Sequence, residues 1–388
     1  MTAPLHLVTG EYPPQRGGVA DYTAAVASAL HAQGREVHVW APETSAGEGA
    51  PTGVTVHRLP GVFDRGALQA LDDALGTMPS PRHLIVQYVP QSFGRRGMNV
   101  GFCRWVRRRA EAHHDDVRVM FHEAFYPFEA WPPHRNLLAL VNRWMAHELM
   151  AGARVAYVSA ESWARRLRPY APRGLAFTWL PIPSAIPRVD DAPAVDAARR
   201  AAIGDARDAV LIGHFGTYGA LVAPLVAEAA RRLLDAHATV HFLFMGDGSD
   251  RLAAALRAQL PAHAQRISAT GRQAPERVSV SLQACDLVVQ PYKDGASGRR
   301  TTLMAALANG VAVVSNRGAA TERVWGEQRA LALADSAAAS ALAATAESLL
   351  TSEAARRALG AAGRTLYDAR FSMSRTVQAL MDGGEGRA

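Results

Sequence analysis

Hydrophobic positions along the chain follow a repeating rhythm. The run LHLVTG, residues 5–10, is a short apolar block ending in a glycine-containing loop. An Ala/Val/Leu segment at helical spacing follows over residues 19–33 and stops at Gly34, and EVHVWAP, residues 36–42, is apolar again at strand length. This is a β–loop–α–β unit, which predicts a parallel sheet with right-handed crossovers. Further strands are predicted at Val54–Leu59, His83–Tyr88, Val117–His122 and Arg154–Ser159, with helices between them such as Gly101–Ala112 and Leu137–Ala151.

The rhythm pauses at the proline-rich TWLPIPSAIP, residues 178–187, and the polar, alanine-rich Arg188–Asp208, a shift that reads as an interdomain linker. It then restarts. VLIGHFG (210–216), VHFLFMG (240–246), Ile267–Gly271, DLVVQPY (286–292) and VAVVSN (311–316) read as strands. Ala220–Ala236, Asp250–Leu260, Val278–Ala284 and Thr301–Ala308 read as helices, as does the tail from Glu347. The expected fold is α/β, with two Rossmann-like doubly wound domains over residues 1–185 and 186–368, then a terminal segment, 369–388. Ligands in such folds sit outside the carboxyl ends of the strands, so the cleft between the halves is the default site.

Composition narrows this picture. The 388 residues are 49% hydrophobic and 20% charged, a globular balance, and the length suits two domains better than one. No apolar run approaches the roughly 20 residues of a membrane-spanning helix, and the first residues lack the pattern of a secretory signal. Cys103 and Cys285 are the only cysteines and lie far apart, which argues against a disulfide framework or zinc site and suits a reducing cytoplasm. The net charge is +7; Lys293 is the only lysine, so 41 of the 42 basic residues are arginine. This modest excess suits an anionic ligand or surface and does not by itself imply nucleic acid.

The pieces in this order resemble the GT-B glycosyltransferases, specifically the family-4-like group. The resemblance rests on EYPPQRGGVADY (11–22) and FHE (121–123) in the first half. In the second half it rests on GHFGTYG, MGDGSD, ATGR, ACDLVVQPY and MAALANGVAVVSNRGAATE. RFSMSRTVQAL (370–380) is similar to a terminal helix that crosses back onto the first domain. The resemblance implies transfer of a sugar from a nucleotide donor, often with retention at the anomeric carbon, to a glycan, lipid-linked or small-molecule acceptor. Bacterial polysaccharide or glycoconjugate biosynthesis is the implied setting, with no metal required; no HxxxH or DxD-type cluster argues for one.

Gly17 and Gly18 let the backbone approach a ligand, and the helix after them offers N–H groups to an anion; a plain βα turn would use the same glycines. Asp21 and Tyr22 are candidates for acceptor contact, although Asp21 also suits the first turn of a helix. His122 and Glu123 fall at the carboxyl end of a strand. The resemblance implies that the histidine contacts the donor sugar, donating a hydrogen bond or relaying a proton. Glu123 is either an acceptor-side base or an ion-pair partner of Arg135 or Arg143.

Two departures from the family pattern stand out. The loop GHFGTYG, with Gly216, Tyr218 and Gly219, lacks the Arg and Lys that the resemblance implies on the donor diphosphate, leaving backbone N–H groups as the phosphate donors. The paired glutamates expected at the donor sugar and ribose fall on Ser297 and Ala305, or the first on Gly295 with Asp294 as the nearest acid. What stands there is a Gly/Ser-rich loop with Lys293, Asp294, Ser297, Gly298, Arg299, Arg300 and Thr301 running into a helix. Guanidinium forks, hydroxyls and helix N–H groups are what a diphosphate requires, so these residues are expected to replace the missing pair; a solvated basic turn is the bland alternative. Gly246, Gly271 and Arg272 match the nucleobase region, Asp247 suits a turn, and Glu322 matches a glutamate near the donor loop.

Two further features complete the picture. Arg95–Arg109 interleaves six arginines with Val100, Phe102, Cys103, Trp105 and Val106, which suits peripheral contact with anionic lipid or, equally, a solvated basic helix. Phe125, Tyr126, Phe128 and Trp131 either line an acceptor pocket or pack on the domain. Against the leading reading stand a GT-B enzyme with an unusual donor or an inverting course, with Glu123 or Asp21 as base, and an inactive GT-B module that binds a partner. A nicotinamide dehydrogenase is disfavoured because neither glycine loop forms GxGxxG.

Overall fold

Apolar blocks of strand length can bury both faces only if helices cover both sides of the sheet, and the β–α alternation supplies those helices. A computed structural model describes residues 3–15, 17–43, 53–128, 134–206 and 208–383. The chain divides into two compact units, Met1–Pro181 with Met373–Ala388, and Ile182–Ser372.

The first unit runs β1 (Leu5–Thr9), α1 (Gly18–Ala32), β2 (Val37–Pro42), β3 (Thr55–Leu59), α2 (Arg65–Gly76), β4 (His83–Tyr88), α3 (Val100–His113), β5 (Asp116–Phe121), α4 (His134–Gly152), β6 (Val155–Val158), α5 (Glu161–Leu167) and β7 (Ala176–Trp179). The sheet order is β3-β2-β1-β4-β5-β6-β7, all parallel. Strand order reverses between β1 and β4, which makes that pair the switch point where such sheets bind ligands. Leu84, Val86, Val117 and Val119 form the core under α3 and α4. Asp64 caps α2 through the Ala67 N–H at 3.0 Å, and Asn99 caps α3 through the Phe102 N–H at 2.9 Å.

The second unit runs α6 (Ala192–Ile203), β8 (Val210–Phe215), α7 (Ala223–Ala236), β9 (Val240–Met245), α8 (Ser249–Gln259), β10 (Ile267–Ala269), α9 (Pro275–Gln283), β11 (Leu287–Val289), α10 (Thr301–Ala308), β12 (Ala312–Asn316), α11 (Val324–Glu327), β13 (Ala332–Ala334), α12 (Ala339–Leu350) and α13 (Glu353–Leu366). Its order is β10-β9-β8-β11-β12-β13, again parallel, with the switch point between β8 and β11.

The final helix, α14 (Met373–Asp382), belongs to the first unit. The Tyr157 hydroxyl donates to the Ala379 carbonyl at 2.8 Å and Arg118 donates to the Leu380 carbonyl. Both carbonyls lie in the last turn, where helical oxygens lack partners of their own.

The stretch 188–208, expected as linker, instead carries α6, capped by Asp191 at 3.0 Å from the Ala194 N–H. Its alanines and arginines are ordinary helix formers, and polarity alone hid them. β7 likewise runs into the proline-rich segment that reads as linker.

The stretch Arg95–Arg109 is also corrected. Phe102, Cys103, Trp105 and Val106 are buried in the core and so are not available to lipid. Arg109 is itself buried, its Nε donating to Asp115 at 2.7 Å, and Arg108 and Arg107 pair with Asp72 and Glu111 at 3.1 and 2.7 Å. Removing one partner of a buried ion pair leaves the other charge uncompensated, whereas an exposed pair contributes little. Arg109→Leu is therefore expected to destabilise the protein by about 3 kcal/mol and Arg108→Ala by less than about 1 kcal/mol, measured by urea unfolding; equal effects would contradict this assignment.

Candidate functional site

In the second unit a cavity of about 250 Å³ lies at the carboxyl ends of β8 and β11, lined among others by His214, Gly216, Tyr292, Arg299, Arg300 and Thr301. This is the switch point, and the volume is nearer that of a diphosphate than of a whole nucleotide-sugar. A larger cavity of about 780 Å³ opens at the opposite ends of the same strands. Two of its arginines are already engaged: Arg199 donates to Asp286 at 2.8 Å, and Arg356 donates to the Leu349 and Leu350 carbonyls at 2.8 and 2.7 Å. Topology and charge both favour the smaller one.

The loop from β11 to α10 is built around two carboxylates. Asp294 accepts from Arg299 at 2.6 Å and from Arg300, whose guanidinium also lies 4.9 Å from the centroid of the Tyr292 ring. Burial works to raise the Asp294 carboxyl, but the two guanidinium groups prevail and hold it below the usual carboxylate range. Glu322, buried, accepts the Gly298 N–H at 3.1 and 3.2 Å and the Trp325 indole N–H at 2.7 Å. The Tyr292 hydroxyl and Thr302 Oγ1 are 2.8 Å apart.

α10 starts without a capping side chain: its N-cap residue is Arg300, with no side-chain hydrogen bond to the helix. Among the described residues, Arg300 Nε, His214 Nδ1 and Ser297 Oγ are buried without a hydrogen-bond partner. Burial pushes the His214 imidazole down to about 3, so it is neutral. Unsatisfied donors are rare in buried positions, and here Arg300 and His214 line one small cavity. Lys293 is exposed beside this loop, and Thr301 is exposed as the first residue of α10.

Gly216, Gly246 and Gly271 come together through their backbones. The Gly246 N–H donates to the Gly271 carbonyl at 3.1 Å. Gly246, at φ 107°, sits so close to the Gly216 carbonyl that a Cβ there would collide with it. Tyr218 departs from expectation. Its hydroxyl turns inward, within 3.0 and 3.2 Å of the His214 and Met245 carbonyls, which makes it a buttress rather than a phosphate ligand. Gly219 lies in the turn before α7, its carbonyl accepting the Val222 and Ala223 N–H groups at 3.1 and 3.0 Å, and is not among the cavity's lining residues. Asp247 and Arg272 are exposed.

In the first unit His122 is buried at the end of β5. Protonated on Nε2, it would donate to Gln87 Oε1 at 2.8 Å; Tyr22 meets its ring edge-on at 4.8 Å. Its carbonyl accepts from Ser159 Oγ at 2.9 Å and Trp163 Nε1 at 3.1 Å, which fixes the strand end. Burial pushes the imidazole down to about 3. Gln87 Nε2 and the Tyr22 hydroxyl, both next to it, have no partner among the described residues.

Gly17 precedes α1 and Gly18 is its first residue, but the first N–H groups of the helix are not all free. The Glu11 carboxylate accepts the Val19 N–H at 3.2 Å and would collide with a Cβ on Gly17. Burial raises the Glu11 carboxyl above its usual range, against the Val19 and Ala20 N–H groups that favour its charged form. Glu11 is a residue that sequence reasoning missed; its only signal was an acid at the start of the loop between β1 and α1. Asp21 is exposed in the first turn of α1.

Glu123 does not pair with Arg143. That guanidinium donates to Tyr126 and Ala139 carbonyls at 3.0 and 2.7 Å and lies 4.2 and 3.8 Å from the Phe125 and Phe128 rings. Gln91 Nε2 donates to Glu123 at 3.4 Å instead. Trp131 and the side chains of Arg95 and Arg135 lie outside the described residues.

Residues 208–352 match the family model described as "Glycosyl transferases group 1". No protein of curated function matches the chain by sequence. Several solved structures share the fold over nearly the whole length. Sucrose-phosphate synthase from Thermosynechococcus elongatus is 15% identical with a TM-score of 0.71, covering 98% of each chain. WaaG, a glycosyltransferase involved in lipopolysaccharide biosynthesis, is 15% identical with a TM-score of 0.65, over 98% of this chain and 100% of its own. Anabaena HepE, solved with UDP and glucose, is 12% identical with a TM-score of 0.65 over 98% of each. The chain thus has the two-domain fold of the GT-B glycosyltransferases. Its second unit carries a glycosyltransferase group 1 domain.

Two outcomes test the site as described. Glu322→Ala is expected to cost about 2 kcal/mol or more in unfolding experiments, because two buried donors lose their acceptor. Between pH 6.5 and about 3 the folded chain leaves His122 neutral while an unfolded chain protonates it. Stability from this group is therefore present above pH 6.5 and lost as the pH falls toward 3, by up to about 1.4 kcal/mol per pH unit. His122→Asn is expected to flatten the acid limb of stability against pH by that share; an unchanged limb would show that the buried imidazole does titrate.

Proposed function

We propose that the protein transfers a sugar from a nucleotide-sugar donor to an acceptor, with the donor diphosphate held at the β8–β11 switch point. One observation carries this reading. Arg299, Arg300, the uncapped start of α10 and the unpartnered His214 Nδ1 border one cavity of about 250 Å³. Helix N–H groups and guanidinium forks are the donors a diphosphate selects, and they act most strongly where water is excluded. Lys293, Asp294, Ser297, Gly298 and Thr301 complete the loop. Gly246, Gly271 and Arg272 form the nucleobase side, with Gly216 bringing its backbone close to theirs.

The first unit supplies the acceptor-side groups in this reading. His122, held neutral, donates or accepts a hydrogen bond and is a poor base at neutral pH. That supports a retaining course over an inverting one led by this histidine; Glu123 and Asp21 are the carboxylates left for the acceptor. Gly17 and Gly18 shape the loop at the β1–β4 switch point, while Glu11 occupies the helix start. The acceptor class is a glycan, a lipid-linked sugar or a small molecule, within polysaccharide or glycoconjugate assembly. The fold shared with a lipopolysaccharide enzyme supports that setting. Arginines and helix N–H groups neutralise the leaving diphosphate, so no metal is required.

A thermal-shift panel of nucleoside diphosphates and nucleotide-sugars tests the donor reading. At least one member is expected to raise the melting temperature, and Arg300→Ala to weaken that ligand by about 10- to 100-fold. No shift with any member, or full affinity in both Arg299→Ala and Arg300→Ala, would overturn it. Transfer is expected to survive excess EDTA, and NMR of the product is expected to show the donor's anomeric configuration.

A further inference from the structure

The larger cavity of the second unit, about 780 Å³, falls within the range of small-molecule sites, roughly 300–1,000 Å³. It opens at the amino ends of β8, β11 and β12 and shares no lining residue with the cavity at the carboxyl ends. Four arginines and four carboxylates line it, so its charges balance as a whole. The arginines are nevertheless used very unevenly. Arg199 donates to Asp286 Oδ2 at 2.8 Å and to the Ala284 and Ala209 carbonyls at 3.0 and 2.8 Å. Arg188 donates to Asp190 at 2.9 Å and to the Asn309 carbonyl at 2.7 Å. Arg357 pairs with Glu353, one helical turn before it, and lies mostly in solvent.

Arg356 differs from these three. Only 9% of its side chain is accessible. Its Nη1 donates to the Leu349 and Leu350 carbonyls in the last turn of α12, where helical oxygens lack partners of their own, and these bonds hold the guanidinium in place. Its Nε is buried without a hydrogen-bond partner among the described residues. Its Nη2 stops 3.9 Å from Asp286 Oδ1, beyond hydrogen-bond reach. Asp286 is held back in turn, because its Oδ2 accepts Arg199 and the Leu211 N–H at 2.8 and 2.7 Å. The Nε–H and Nη2–H groups point along one edge of the guanidinium, the edge that grips two oxygens of a carboxylate or phosphate at once. A buried charge with half its donors unused is costly. Here that charge borders a cavity and not close-packed core.

We propose that this cavity is a second ligand site, for a small molecule that carries one oxyanion head, carboxylate or phosphate, on a hydroxylated body. The head lies along the Nε–Nη2 edge of Arg356. The balanced lining leaves one guanidinium edge to neutralise, which suits a single head and disfavours a polyanion. Asp286 Oδ1 and the exposed carboxylates of Asp196 and Asp208 are acceptors, the groups that hydroxyls of the body select. The site belongs to the second unit alone and stands whether or not the cavity at the carboxyl ends takes a diphosphate.

Isothermal titration calorimetry of the full chain with ribose 5-phosphate, ribonate and ribose tests this. Ribose 5-phosphate or ribonate is expected to bind, and the tighter of the two identifies the head. Ribose, which lacks the head, is expected to bind about ten-fold more weakly or worse. Arg356→Lys keeps the charge but offers no planar edge, and is expected to weaken binding about ten-fold or more. Thr351 is exposed at the end of α12 on the cavity lining, so Thr351→Trp is expected to fill the mouth and abolish binding at an unchanged melting temperature. If Arg356→Lys does not fold, Thr351→Trp decides alone. Arg300→Ala is expected to leave binding intact, which separates this site from the cavity at the carboxyl ends. No binding of either anion, equal binding of ribose, full binding by Thr351→Trp, or loss of binding in Arg300→Ala would overturn the proposal.

Discussion

The loop between β11 and α10 depends on one buried carboxylate. A charge taken out of water is costly unless it is fully hydrogen-bonded, and Glu322 meets that demand with the Gly298 N–H and the Trp325 indole. The same bonds fix where Gly298 lies, and Arg299 and Arg300 follow it directly into the start of α10. The turn after β12 locks on from the other side. Gly295, at φ 92°, packs so tightly on Gly318 that neither position has room for a side chain. Two loops that are distant in sequence therefore form a single rigid floor.

On that floor the charges are arranged in advance. Asp294 draws both guanidinium groups into the loop, and Tyr292 supports one of them with its ring. Three charges in this arrangement carry a net single positive charge, less than the two isolated arginines would. What an anion gains is order: planar forks already held in place lose little freedom on binding. The buried neutral His214 adds a donor or acceptor without adding charge.

Much of the fold was legible because parallel sheets buried on both faces write themselves as apolar blocks, and the glycines after β1 and β8 mark where those blocks turn. α6 was not, since an alanine–arginine helix on a surface carries almost no hydrophobic signature. The loop 293–301 could be assigned to an anion from residue types, but not its internal pairing, because the sequence says that Asp294 and the arginines are neighbours without saying where they point. Glu11 and Tyr218 show the same limit. Each sits in a motif that suggests ligand contact, and each turns inward to satisfy backbone groups that must be paired somewhere. In Arg95–Arg109 the interleaved apolar residues have a helical period that is equally consistent with facing the core, and they do.

The near-absence of lysine leaves the protein with a single side-chain amine, on Lys293, exposed at the edge of the loop that borders the switch-point cavity. Arginine does not form imines or react with amine-selective esters under mild conditions, so reagents of that kind have one side-chain address on the whole surface. A fluorophore or crosslinker can thus be installed beside this loop in the natural sequence, without engineered cysteines.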